Sequence, residues 1–237
     1  MYKDKTISLI LPSYNEETNI LNCIQKFTEL DIFDEIIAVD NNSSDNTATE
    51  IKKTTAKYIF EKHQGYGMAI RTGIANSSCH LIVICEPDAT FEATDIFRFL
   101  PFTNQFDCVF GTRTSKSTIG EGAKMPFYLR YGNILFGKIL GYLFSGPTLT
   151  DVGCTYKLIK KESYDEIKNR LTITGSEFQP ELMINLINNG NSIIEIPVNY
   201  YARKGTSKIT YNFVSSLSLG FRMLYLILRL RIKFFFV

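Results

Sequence analysis

An α/β fold with a mostly parallel central sheet and helices on both faces is predicted by three features of the chain. Short apolar runs alternate with segments of helical periodicity. Each run stops at a loop of turn-forming or charged residues. The 237 residues, 45% hydrophobic and 21% charged, supply enough apolar material for a substantial core.

Residues 6–11 form an apolar run that reads as a buried strand and ends at Pro12. Over 17–30 the apolar residues Ile20, Cys23, Ile24 and Phe27 fall at helical spacing. A second strand, 35–39, is closed by the turn-rich stretch 40–47. A helix over 47–55, a strand over 57–61 and a helix over 66–76 follow. The strand 80–85 then ends at Glu86-Pro87-Asp88. Gly111-Thr112-Arg113 ends another strand, and 115–125 reads as a mobile loop rich in glycine, serine and lysine. Beyond it the pattern predicts a helix over 127–144, strands over 151–160 and 193–201, and a helix over 179–188 between them. In parallel sheets ligands lie beyond the carboxyl ends of the strands, where the loops at 12–16, 40–45 and 86–88 fall.

Composition excludes several classes. Five cysteines, an odd number with no C-x-x-C pair, argue against a disulfide scaffold or zinc ribbon and for a reduced compartment. Two histidines, His63 and His80, leave little for a histidine-built metal site or a His-centred triad. The first 17 residues carry acids early and lack a small-residue cleavage site, so no signal peptide is expected. After Glu195 there are seven bases and no acid, which leaves residues 1–195 at a net charge of −5. A basic tail on an acidic body predicts an anionic partner at that end; no nucleic-acid partner is expected.

The candidate chemistry lies in the strand-end loops. Glu86 and Asp88, one residue apart after an apolar strand, can hold a hard divalent cation that grips phosphate oxygens, or can form a turn with a helix-capping acid. Asp40 can accept hydrogen bonds from a base or ribose, or serve as a turn former. In Pro12-Ser13-Tyr14-Asn15-Glu16 the Tyr14 ring can stack on a base. Glu16 can orient it or cap the following helix. Gly65 and Gly67 suggest a dinucleotide fingerprint, but Ile70 stands at the third glycine position and the pair follows the third strand. They read instead as letting a helix start close to the sheet. Arg113, Arg130, Arg203 and Lys208 form the basic set. The loop 203–208 suits clamping a diphosphate or is a solvated surface loop.

In order, the segments ISLILPSYNE (7–16), IIAVDNNSSDNT (36–47), Gly65 and Gly67, Glu86-Pro87-Asp88, Gly111-Thr112-Arg113, 151–156, 178–181 and IPVNYYARKGTSK (196–208) resemble the family-2 glycosyltransferases of GT-A fold, in particular the polyprenyl-phosphate sugar transferases. The resemblance spans about residues 6–208 and implies a UDP- or GDP-sugar donor with Mg2+ or Mn2+. Pro12, Tyr14, Glu16, Asp40 and Asn41 would line the nucleoside site. Glu86 and Asp88 would hold the metal, with Asp88 the firmer ligand and for that reason counted as catalytic. Arg113, Arg130, Arg203 and Lys208 would contact donor and acceptor phosphates. Three positions depart from the family pattern: Asn41 replaces a second aspartate, Glu86 replaces the first acid of Asp-x-Asp, and Thr90 stands where mannose synthases carry glutamine.

The implied domains are a glycosyltransferase unit over 1–208, with a nucleotide-binding half (1–110) and an acceptor half (111–208), and a basic tail over 209–237. The implied reaction is an inverting displacement onto a polyprenyl phosphate. A saccharide hydroxyl acceptor would need a base, for which Asp151 is the candidate unless it only holds 152–156 in place. A non-catalytic nucleotide-sugar-binding module is the remaining alternative. In 213–237 the bases Arg222, Arg229, Arg231 and Lys233 oppose a membrane span, since each costs roughly 2.5–3.5 kcal/mol at the bilayer centre. Arg222, Arg229 and Lys233 fall within about 40° on a helix, one basic face on an apolar helix. The expectation is a tail lying on the cytoplasmic face of a membrane, with 128–144 as a second contact. Packing on the body, or on a second copy in a homo-oligomer, is the alternative.

Overall fold

The computed structural model describes residues 2–123, 125–204 and 213–235. Strands β1 (Ile7–Ser13), β2 (Glu35–Asp40), β3 (Lys57–Phe60), β4 (Leu81–Ile84), β5 (Cys108–Thr112), β6 (Lys157–Lys160) and β7 (Ile193–Pro197) form one sheet in the order β3-β2-β1-β4-β6-β5-β7. β6 runs antiparallel to β4 and β5, and every other pairing is parallel. β1 and β4 are buried along their whole length, as continuous apolar runs must be when both faces are covered.

Strand alternation splits the core in two. Ile10, Ile37, Val39, Ile82 and Ile84 face one side, under helices α3 (Tyr66–Ala75), α7 (Phe178–Asn188) and α8 (Phe213–Phe235). Leu9, Leu11, Ala38, Leu81 and Val83 face the other, with α1 (Ile20–Thr28), Phe99 of α4 (Ile96–Phe99) and the fully buried Tyr156. Among the described residues the remaining α-helices are α2 (Thr47–Lys52), α5 (Phe127–Leu143) and α6 (Lys161–Ile167).

The expected strand over 151–160 is shorter: only Lys157–Lys160 joins the sheet. Upstream, the backbone amides of Thr150 and Asp151 go to the Glu195 carboxylate, and that of Gly153 to Asn133 and Asp151. With the Asp151 and Gly153 amides claimed by side chains, the ladder does not extend through 151–155, although the Tyr156 carbonyl accepts from the Gly111 amide at 2.9 Å. The expected strand over 193–201 likewise stops at Pro197. Gly65 and Gly67 do bring the start of α3 into close contact, but with a loop: a Cβ at either would strike the 173–174 backbone, and the Gly67 amide donates to the Thr174 carbonyl at 2.8 Å.

α8 packs on α5 and α7. Its buried residues are Met223, Leu226, Ile227 and Leu230, each contributing about 1.5–3 kcal/mol by leaving water. Among the described residues no helix is long and apolar enough to cross a membrane.

Candidate active site

Beyond the carboxyl ends of β4 and β5 lies a cavity of about 670 Å3. Its floor holds Glu86, Asp88, Thr90, Arg113 and Arg203, and its far wall is made by Leu129 and Phe136 of α5 with Leu217, Phe221 and Leu224 of α8. Among the described residues, Glu86 and Asp88 are the only acids lining it.

β4 is a run of four buried aliphatics, so the chain leaves the sheet with its first polar residues aimed into this space. Asp88 is 2% exposed. Its Oδ1 accepts from the Thr90 amide at 3.0 Å and the Thr90 hydroxyl at 2.6 Å, a turn closed by Ala89 at φ 64°. Its Oδ2 lies 3.3 Å from Nη1 of Arg203. Nη2 of Arg203 donates to Glu16 at 3.2 Å, and Asn19 donates to the other Glu16 oxygen at 2.7 Å. Burial works against the Arg203 charge, but Asp88, Glu86 and Glu16 outweigh it and raise its pKa. Glu86 is half-buried. Burial and the neighbouring Asp88 charge push its carboxyl up, against the pull of Arg203 and Arg113. The strap 201–204 is fixed across these acids by Tyr201 N to Thr90 O at 2.9 Å and Asn19 Nδ2 to Lys204 O at 2.9 Å.

Arg113 follows β5. Asp151 holds it through the Arg113 amide at 2.9 Å, Nε at 2.8 Å and Nη2 at 2.9 Å. Its guanidinium lies 5.3 Å from the Tyr200 ring centre. Asp151 is wholly buried. Burial alone would raise its carboxyl, yet the Arg113 charge and hydrogen bonds hold it below the usual range. It stands behind Arg113 and does not line the cavity. Arg130, on α5, donates from Nε to the Thr114 carbonyl at 2.7 Å.

The expected nucleoside residues cluster at the ends of β1 and β2, joined to the cavity through the Glu16–Arg203 contact. Pro12 is a buried member of β1, opposite Val39. Tyr14 is 36% exposed. Asp40 accepts from the Ser43 amide at 3.0 Å and the Tyr58 hydroxyl at 3.3 Å. The Asn41 amide donates to the carbonyls of Glu61 (3.2 Å) and His63 (2.8 Å) and accepts from the Gly65 amide at 2.7 Å. Lys208 lies outside the described residues.

Among the described residues no three histidine, cysteine or acidic side chains are spaced to hold a metal. The Glu86 and Asp88 pair is a two-carboxylate, all-oxygen donor set whose mutual repulsion a hard cation would relieve, so it fits Mg2+ or Mn2+ completed by phosphate oxygens.

Sequence reasoning missed Asn19, Gln179, Thr150 and Glu195. Glu195 carried a signal, an acid inside the apolar strand IIEIP that burial obliges to find partners. Gln179 is 2% exposed, lines the cavity and donates to the Tyr66 hydroxyl at 2.8 Å, and its Oε1 has no partner among the described residues.

Residues 8–168 match the model of the family described as Glycosyl transferase family 2. The dolichyl-phosphate hexose transferase of Haloferax volcanii is 28% identical over 213 residues, 88% of each chain. The dolichyl-phosphate beta-glucosyltransferase of Mus musculus is 26% identical over 251 residues, 95% of this chain and 76% of that protein. Among solved structures, glucosyl-3-phosphoglycerate synthase of Mycobacterium tuberculosis, in complex with Mn2+, UDP and phosphoglyceric acid, superposes with a TM-score of 0.74 at 17% identity, covering 96% of this chain and 78% of that one. With the strand-end site described above, these matches place the chain in glycosyl transferase family 2, on a GT-A fold.

Proposed function

We propose that the protein transfers a hexosyl group from a nucleotide sugar to a polyprenyl phosphate, with inversion at the anomeric carbon. The observation that carries this reading is the two-part cavity, charged at the strand ends and apolar along α5 and α8. An acceptor with an anionic head and a long apolar tail matches both parts at once. The dolichyl-phosphate relatives support the same acceptor class.

On this reading residues 1–110 supply most of the donor site and 111–208 the acceptor site, with Gln179, Arg203 and Lys208 of the second half assigned to the donor. Tyr14 stacks on the base, beside Asp40 and Glu16. Arg203, which bridges Glu16 and Asp88, turns its guanidinium to the incoming diphosphate, a better bidentate anion. Glu86 and Asp88 would hold a Mg2+ or Mn2+ ion, which would supply positive charge against the departing nucleoside diphosphate. The open Oε1 of Gln179 accepts from a sugar hydroxyl. Lys208 is assigned to the diphosphate on sequence grounds.

Arg113 and Arg130 hold the acceptor phosphate. A phosphate monoester has a second pKa of about 6, so near pH 7 it is mostly dianionic and attacks without a base. Its oxygen bonds to the anomeric carbon as the bond to the diphosphate breaks, and the electron pair leaves with the diphosphate. With both Asp151 oxygens engaged by Arg113, that residue positions the arginine and takes no proton.

The outer faces of α5 and α8 supply a membrane contact. Tyr225, Leu228 and Ile232, continuing from the cavity-lining Leu217 and Phe221, form an exposed stripe on α8, and Phe127, Tyr131, Leu135 and Tyr142 form one on α5. Arg222, Arg229, Arg231 and Lys233 are exposed beside the α8 stripe. At about 1 kcal/mol per base near an anionic leaflet, they hold the helix on its surface.

The test is to incubate protein with Mg2+ or Mn2+, a panel of UDP- and GDP-sugars and a short polyprenyl phosphate. Nucleoside diphosphate release that depends on the lipid phosphate is expected. Release that instead depends on a free saccharide would overturn the reading.

A further inference from the structure

Of Arg113, Arg130, Thr150 and Glu195, Arg113 lines the cavity and the other three do not. Glu195 sits on β7 opposite Phe110 of β5. Its two oxygens accept from the Thr150 amide at 3.0 and 2.8 Å, from the Asp151 amide at 3.0 Å and from the Thr150 hydroxyl at 2.6 Å. A carboxylate only accepts, so the single hydroxyl proton of Thr150 points to Glu195. The Thr150 oxygen is then left to accept, with the Thr112 and Thr114 hydroxyls each 2.9 Å away and 2.8 Å from one another. Those two threonines stand on either side of Arg113, and the carbonyl of Thr114 takes the Nε–H of Arg130. Asp151, next to Thr150, takes the Nε–H and one Nη2–H of Arg113.

A loop tie as such needs one contact. Here the side-chain hydrogen bonds that leave the Glu195–Thr150 pair end on Thr112, Thr114 and Asp151, residues that flank or grip an arginine. We propose that Glu195 and Thr150 are positioning residues that set the guanidinium groups of Arg113 and Arg130 for an anionic phosphate; this rests on the assignment of those arginines to the acceptor phosphate. Glu195 fixes the amides of Thr150 and Asp151, so Asp151 presents both oxygens squarely to Arg113. Thr150 clamps the backbone of 112–114, which aims Arg113 and presents the carbonyl that orients Arg130. Pre-orientation of this kind lowers the ordering cost of gripping phosphate.

The test uses the full chain labelled with 15N-arginine, with Nε–H signals assigned through Arg113→Lys and Arg130→Lys. In the parent protein both signals should exchange slowly. Thr150→Val keeps the shape and removes the hydroxyl, and should speed exchange of both by about tenfold or more, the scale of one hydrogen bond. Thr150→Ser should restore the slow signals. In parallel, Thr150→Val should raise KM for farnesyl phosphate about tenfold with kcat within about twofold, a loss in holding the acceptor. Glu195→Gln turns a donor toward the Thr150 hydroxyl and should reproduce the loss, which keeps the test open should Thr150→Val not fold. Unchanged signals in both variants, or failure of Thr150→Ser to restore them, would overturn the proposal. Altered signals with an unaltered KM would uphold the positioning and reject the acceptor-phosphate assignment of the two arginines.

Discussion

At the ends of β1 and β2, Asp40 and Asn41 give their side chains to the neighbouring loops, binding Ser43, Tyr58, Glu61, His63 and Gly65. At the ends of β4 and β5, Glu86, Asp88, Arg113 and Arg203 face a cavity, and their main partners are charges. The first region is a platform whose polar groups are committed to its own backbone. In the second, Arg203 bridges Glu16 and Asp88 at the cavity floor, where an incoming anion competes for its guanidinium. Rigidity is concentrated in one region and exchangeable charge in the other, and substitutions should separate the two.

The largest effect is expected at Asp88. Asp88→Asn should lower kcat/KM by roughly 10³-fold, the scale of removing a charge group aimed at the reacting centre, while the melting temperature stays close to that of the parent. A variant that melts early and turns over normally would put Asp88 with the platform. Next is Asp151→Asn, which leaves the buried Arg113 without its counter-charge and should cost about 3–5 kcal/mol in urea unfolding. Full stability with abolished turnover would mark Asp151 as a base. The pH dependence follows from its depressed carboxyl. The stabilisation is complete above the ordinary value of 3.8 and is lost as pH falls toward the lower folded one, a loss that Asp151→Asn should flatten.

Asn41→Asp tests the platform. It sets a carboxylate against the Glu61 and His63 carbonyls and should cost about 1–3 kcal/mol of stability; a gain in donor affinity without that cost would move Asn41 into the donor site. The smallest effect is expected for Arg222→Ala, which breaks a 2.5 Å pair with Glu177 whose arginine is 57% exposed. A change in stability of at most about 1 kcal/mol is expected, together with weaker sedimentation on anionic vesicles. Unchanged vesicle binding would count against α8 as the membrane contact.

Much of the fold can be read from the chain because β1, β2 and β4 are short, mostly apolar runs between turn loops. The misreading at 151–156 has a physical origin. Val152, Cys154 and Tyr156 alternate as strand residues do, but amides just upstream and within the segment are claimed by the side chains of Glu195, Asn133 and Asp151. The ion pair of Arg113 with Asp151 joins residues 38 apart, and no local pattern announces it. The same holds for Asn41, whose amide is taken up by a loop about 20 residues on. On α8 the chain shows one basic face on an apolar helix. The division of its apolar residues into a buried set around Ile227 and an exposed stripe around Tyr225 depends on where α5 and α7 pack.

The most direct test of the two-part cavity is the rate of sugar transfer to farnesyl phosphate against methyl phosphate at equal concentration, with one nucleotide-sugar donor. Burial of a CH2 group contributes about 0.8 kcal/mol, so four or more carbons against the α5–α8 wall predict a preference of roughly 100-fold or greater in kcat/KM. Equal rates with the two phosphates would contradict the account, because the apolar wall would then have no part in choosing the acceptor.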